Sequence, residues 1–199
     1  MEAAVSEELL RVAVAGIVIL LMVWMIGFGV VLRMRGVNPN AVAERNTNWT
    51  QRALIFGAGF LDLYLILRPV FPQLDTLVRA QPSPSPWLAI GVLLTGAAII
   101  LLSQSGMGRS WRVGVPAEEN HVDALVTTSL HGVSRNPVYL GIMIFLIGAT
   151  IAAPGPFTLF AVVVSYIGLT IIVRQEERYL RARFGAAYDA YAKRVRRWI

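Results

Sequence analysis

Uncharged apolar runs, separated by polar or proline-rich stretches, set the pattern of this chain. Val12 to Leu32 carries no charge for 21 residues, long enough at 1.5 Å per residue to cross a hydrocarbon layer about 30 Å thick. A second run, Ala53 to Leu67, is interrupted by Asp62 and bounded by Arg52 and by Arg68-Pro69, where proline ends the helix near an interface. The proline-punctuated loop Gln81 to Pro86 precedes a third run from Trp87 to about Leu102. Gly106 to Arg135 is polar and predicts an ordered loop outside the hydrocarbon. Tyr139 to Ala153 and Phe157 to Val173 then flank Pro154-Gly155-Pro156, which predicts a tight helical hairpin. Its first arm spans roughly 22 Å as a helix, so the hairpin tilts little or enters only part of the bilayer. The tail continues as a helix to Phe184, with Gly185 as C-cap, and restarts with Tyr188, Tyr191, Val195 and Trp198 on one face and basic residues on the other. That pattern predicts an interfacial helix on the membrane surface. The fold expected is an all-α, polytopic bundle of about five transmembrane helices. Residues 1–105 form an N-terminal three-helix region, and residues 106–199 hold the loop, the hairpin and the tail.

Composition agrees. Of the 199 residues 56% are hydrophobic and the mean hydropathy is +0.60, too apolar for one soluble core. There are no cysteines, which excludes a disulfide framework and a thiolate metal site; with only His121 and His131 to offer imidazole, no metal is expected. The net charge of +6 flanks the apolar runs and so meets lipid phosphates rather than nucleic acid. Of the lysines and arginines, fifteen fall on one side of the five spans and only Arg11, Arg68 and Arg79 on the other. The positive-inside rule then puts the N-terminus outside and places the Gly106 to Arg135 loop and the tail together in the cytoplasm. Glu2, Glu7 and Glu8, with no small-residue cleavage site following, argue against a cleaved signal peptide.

Two constellations can carry chemistry. In Ser134-Arg135-Asn136-Pro137-Val138-Tyr139, Asn136 suits an N-cap and Pro137 the first helical position, leaving free N–H groups able to hold an anion such as a carboxylate. The plainer alternative is a membrane helix start with Arg135 on a lipid phosphate. Glu176-Glu177 stands at the end of the last span, where adjacent carboxylates repel and call for a cation. Either Arg174, Arg178 and Arg181 compensate them, or an ammonium or sulfonium ligand does. His121 and His131 read as loop hydrogen-bonders, Asp62 as the partner of a polar group on a neighbouring helix, and Trp111-Arg112 as an interface anchor.

Leu125-Val126, Arg135-Asn136-Pro137-Val138-Tyr139-Leu140-Gly141, Glu176-Glu177 and Phe184-Gly185-x-x-Tyr188-x-x-Tyr191 together resemble the isoprenylcysteine carboxyl methyltransferases and their phospholipid methyltransferase relatives. The resemblance covers roughly Gly106 to Ile199. It implies an integral-membrane methyltransferase using S-adenosyl-L-methionine at the cytoplasmic face, with a lipid or other lipophilic small molecule as acceptor. The cofactor contacts it implies fall on Asp123, Ala124, Leu125 and Val126, on His131, on Asn136, Pro137, Val138 and Tyr139, and on Glu176 and Glu177. A helix N-terminus suits the cofactor's carboxylate, and Glu176 suits its ammonium or sulfonium. The chain departs from the family where Asn136 replaces histidine, Ser129 a glycine and His131 an aromatic residue. Ile172 stands where the carboxyl methyltransferases carry a substrate-pairing arginine, which points away from a prenylcysteine carboxylate and toward another lipophilic acceptor.

The reaction expected is in-line methyl transfer to an acceptor entering laterally from the bilayer, accelerated mainly by alignment. Arg135 and Arg174 are the candidates for orienting an anionic acceptor by bidentate contact. Two rivals are a sterol-reductase-like enzyme using a reduced nicotinamide cofactor, and a membrane scaffold in which Glu176-Glu177 only balances arginines.

Overall fold

The computed structural model of the chain describes residues 2–39, 49–112, 122 and 124–199. Seven α-helices lie among them: α1 (Glu2–Met34), α2 (Trp49–Leu67), α3 (Leu74–Val78), α4 (Pro86–Met107), α5 (Pro137–Ala152), α6 (Pro156–Phe184) and α7 (Ala186–Arg194). Proline opens α4, α5 and α6, at the position where its missing N–H has no intrahelical partner to lose. Gly185 ends α6 with φ +50°, a conformation that the expected C-cap glycine adopts without a Cβ penalty.

Four helices are long and apolar enough to cross a membrane, and α5, at 16 residues, is the shorter fifth. The helices outrun the apolar runs at several ends. Helix α6 continues unbroken for eleven residues beyond Val173, lifting Glu176 and Glu177 past the hydrocarbon on a rigid rod. Large apolar side chains such as Leu20, Ile26, Phe56, Phe60 and Phe160 face outward, as lipid-facing positions should.

Helix α5 packs most closely on α4, and glycines make that approach possible. A Cβ on Gly96 would lie 2.5 Å from the Phe145 backbone nitrogen, and one on Gly148 would lie 2.7 Å from that of Leu93; between apolar helices in lipid, such small residues let backbones meet. The core at this level joins Val14 and Val18 of α1, Leu61 and Leu65 of α2, Leu93 and Ala97 of α4, and Phe145 and Ala149 of α5. Helix α6 docks on α2, with Leu54 against Gly168.

The helices alternate in direction. One end of the bundle gathers the start of α1, the end of α2, α3 and the end of α5 around Arg68. That side chain is fully buried, held by Asp75 (Nε–Oδ1 2.7 Å, Nη2–Oδ2 3.0 Å), Glu7 (3.3 Å) and the Ala152 carbonyl (3.3 Å). The other end gathers the end of α1, the end of α4, the start of α5, the end of α6 and α7.

Two sequence expectations change here. Trp111 is buried, edge-on to Phe28 with ring centroids 5.6 Å apart, so it packs α1 to the end of α4 instead of anchoring in an interface. Asp62 is half-buried and has no hydrogen-bond or ion-pair partner among the described residues, so the expected polar partner on a neighbouring helix is not there.

Candidate active site

The site is built where the first turn of α5 meets α6. Asn136 occupies the N-cap position and its carbonyl accepts the Leu140 amide at 3.1 Å. Its side chain does not cap. The carboxamide Nδ2 instead donates to the Arg197 carbonyl at 3.0 Å, while its amide donates to Ser134 Oγ at 3.2 Å. This corrects the sequence reading, because the segment after α7 runs parallel to Ser134 and competes for the Asn136 side chain. Arg135 donates its amide to the Arg196 carbonyl at 2.9 Å, and Ser134 Oγ donates to the Arg197 carbonyl at 3.3 Å. The N–H groups of Val138 and Tyr139 still stand at the helix start without an intrahelical acceptor.

Glu176 and Glu177 project from α6 about 100° apart, as successive helical residues must. Glu177 is buried and takes three contacts from two guanidiniums: Arg135 Nη2 at 3.2 Å, Arg197 Nε at 3.0 Å and Arg197 Nη2 at 2.8 Å. Its compensation comes from these two residues, not from the neighbouring Arg174, Arg178 and Arg181. Glu176 turns the other way, toward the Tyr139 hydroxyl, and its Oε2 is buried with no hydrogen-bond partner among the described residues. Arg135 Nε is in the same condition. The structure therefore brings Arg135, Asn136, Pro137 and Tyr139 together with Glu176 and Glu177, which are far apart in sequence. Val138 is half-buried in the same first turn.

The loop segment closes one side. The Val122 amide donates to the Tyr179 hydroxyl at 3.1 Å, and Arg183 Nε donates to the Val122 carbonyl at 3.5 Å, tying the segment to α6. Ala124 is exposed, its carbonyl accepting from Ser110 Oγ at 3.3 Å; Leu125 packs on the Tyr188 and Tyr191 cluster, and Val126 is half-buried. Asp123 and His121 lie outside the described residues. Arg174 is exposed on α6 and stands apart from the cluster.

His131 is buried, its carbonyl accepting the Tyr191 hydroxyl at 2.7 Å. Burial pushes its imidazole down to about 4, so it is neutral at pH 7 and offers no cation. The tyrosines of α7 face the protein: Tyr188 and Tyr191 are buried against Leu125, Leu180 and Phe184, so the apolar face of α7 is covered by this chain while its basic face stays outside. Burial first, and then the charge of Glu177, push the Tyr188 hydroxyl above its ordinary value. Sequence reasoning missed Arg197, which reads as one more residue of the basic face; nothing in its spacing marks it as the partner of a carboxylate twenty residues earlier.

The charges and orphaned atoms fit a zwitterionic cofactor of the S-adenosylmethionine type. The unpartnered Glu176 oxygen suits a cation, and the spare Arg135 donor with the α5 N-terminus suits a carboxylate.

Residues 85–187 match the model of the family described as phospholipid methyltransferase. The chain is also similar to protein-S-isoprenylcysteine O-methyltransferase B of Arabidopsis thaliana, 30% identical over 109 residues that make up 54% of this chain and 53% of that protein. The chain thus spans about half the length of the curated relative it matches. The family match takes in α4, α5 and nearly all the rest of the region that holds the site, and the chain belongs to the phospholipid methyltransferase family.

Proposed function

We propose that this chain is an integral-membrane methyltransferase that takes its methyl group from S-adenosyl-L-methionine and delivers it to a lipophilic acceptor. The observation that carries this reading is the buried, unpartnered Oε2 of Glu176 beside the first turn of α5. A carboxylate oxygen left without a partner in such a place is costly unless a ligand supplies one. Glu176 holds the ammonium or sulfonium; Arg135 and the N–H groups of Val138 and Tyr139 hold the carboxylate; and the ring of Tyr139 lines the adenosine. The cofactor supplies an electrophilic methyl group, so the protein's part is alignment and exclusion of water.

The acceptor enters from the bilayer past the apolar outer face of α6. Arg135 is the candidate for orienting an anionic group on it, and exposed Arg174 is the second candidate at the membrane edge. The end of the bundle that carries this site also carries most of the arginines, which places it in the cytoplasm with the N-terminus outside.

Calorimetric titration of the purified full chain in detergent tests the reading, with S-adenosylmethionine in one arm and reduced nicotinamide dinucleotide in the other. Native protein should bind the first and not the second, and Glu176→Gln should lose that binding. Labelled donor incubated with native lipid extract should then give a product heavier by one methyl group. A chain that binds only the nicotinamide supports the reductase rival; one that binds neither supports the scaffold.

A further inference from the structure

Arg197 is the residue through which the segment after α7 touches both halves of the site. Its carbonyl accepts from Asn136 Nδ2 at 3.0 Å and from Ser134 Oγ at 3.3 Å, on the α5 side. Its guanidinium grips Glu177 in a bidentate pair at 3.0 and 2.8 Å, on the α6 side. One residue earlier, the Arg196 carbonyl fixes the Arg135 amide. The strap lies outside the stretch matched by the family, which ends at residue 187.

The charges make this more than a tether. Glu177 is shared by Arg135 and Arg197, so the group of three carries a net positive charge, and Arg135 keeps a buried Nε with no partner among the described residues. With Arg197 absent, Arg135 would be the only guanidinium of the three left to neutralise Glu177, and would be drawn toward it. A shared carboxylate holds Arg135 in place while leaving it a donor to spare. Meanwhile α5 and α6 remain held in the bundle by their packing on α4 and α2, so loss of the strap pair alters local spacing rather than the fold.

We propose that Arg197 is a positioning residue of the methyl-transfer site. By clamping the first turn of α5 to α6 through Asn136 and Glu177, it sets the distance between the groups that grip the two ends of the donor. Arg197 acts through these residues and need not touch the ligand. The proposal rests on the donor-binding reading above.

The test uses the full chain in detergent and compares native protein with Arg197→Ala, Arg197→Lys and the double variant Arg197→Ala/Glu177→Gln. Arg197→Ala should raise the KM for S-adenosylmethionine about tenfold, the scale of one charge-assisted pair at a partly exposed site, while kcat stays within about twofold and the unfolding temperature scarcely moves. Arg197→Lys keeps the charge and should recover much of the loss. The double variant should be no worse than Arg197→Ala, because the two residues act as one unit. An unchanged KM in Arg197→Ala overturns the proposal. So does a loss in kcat and unfolding temperature together with no rescue by lysine. Hydrogen exchange of the Arg135 amide needs no ligand and separates this inference from the functional reading. Faster exchange in Arg197→Ala supports the clamp even if native protein binds no donor, and unchanged exchange overturns it.

Discussion

Glu176 and Glu177 are neighbours in the chain yet meet opposite surroundings: Glu177 is held by Arg135 and Arg197, and Glu176 ends in a buried oxygen with no partner among the described residues. Their contributions to stability should differ in sign. Removing the charge of Glu177 leaves two guanidiniums without their acceptor. Arg197 is 39% exposed, so water screens part of the loss, and Glu177→Gln should cost about 1–2 kcal/mol. Glu176→Gln removes a desolvated charge that nothing compensates and should be neutral or stabilising. Denaturant or thermal unfolding of both variants in detergent, without ligand, measures this; equal destabilisation would contradict the asymmetry.

The glycines of α4 and α5 give a second prediction. Alanine at Gly96 would force its Cβ against the backbone of Phe145 and Gly141, neither of which can swing aside. Gly96→Ala should therefore push α4 and α5 apart at a cost of about 1–3 kcal/mol. Gly57 lies within α2 with nothing within 4 Å of an added Cβ, so Gly57→Ala should gain up to about 1 kcal/mol from helix propensity. Unfolding midpoints of the two variants, read side by side, check the contrast.

The long apolar runs made the membrane helices legible in the sequence, because bilayer thickness fixes the length of a span and leaves little freedom. The pairing of Arg135 through Tyr139 with Glu176 was legible only through the family resemblance. The local grammar at Asn136 was right about position and wrong about the side chain, because the cap geometry depends on Arg197, sixty-one residues away. Burial of Tyr188 and Tyr191 had the same cause: an apolar helical face looks alike whether lipid or protein covers it. Asp75, which organises the opposite end of the bundle, sits in a five-residue helix with no periodic signal of its own.

His131 predicts acid sensitivity. Burial lowers its imidazole from 6.5 to about 4 in the folded chain, so between those values the unfolded state binds more protons than the folded one. The stability it allows is complete above about pH 6.5 and falls as pH drops toward 4, by about 3 kcal/mol in all. His131→Phe, which keeps the ring without the titrating nitrogens, should flatten that limb. Unfolding temperature against pH for both proteins is the measurement, and an unchanged slope from 6.5 to 4 in the variant would count against the assignment.

Asp75 controls the other end of the bundle, and its acid limb lies lower. Its carboxylate takes the Arg68 guanidinium at 2.7 and 3.0 Å, Arg11 at 2.8 Å and the Tyr64 hydroxyl at 2.7 Å. Burial alone would push the carboxyl up, but the hydrogen bonds from Arg68 and Tyr64 outweigh it and hold it below its ordinary 3.8. The stability it contributes is therefore present above about pH 3.8 and is lost as pH falls through the lower folded value, leaving the range from 6.5 to 4 to His131. Asp75→Asn strands the fully buried Arg68 with only Glu7 and the Ala152 carbonyl, and breaking a buried pair from one side costs about 3–5 kcal/mol. Arg68→Met should cost less, because Asp75 keeps Arg11 and Tyr64 and the methionine fills the space. The double variant should then be more stable than the sum of the two singles allows, since no unpaired guanidinium remains. Strict additivity in a double-mutant cycle, measured by unfolding in detergent at pH 7, would show that Arg68 and Asp75 are not coupled as their geometry requires.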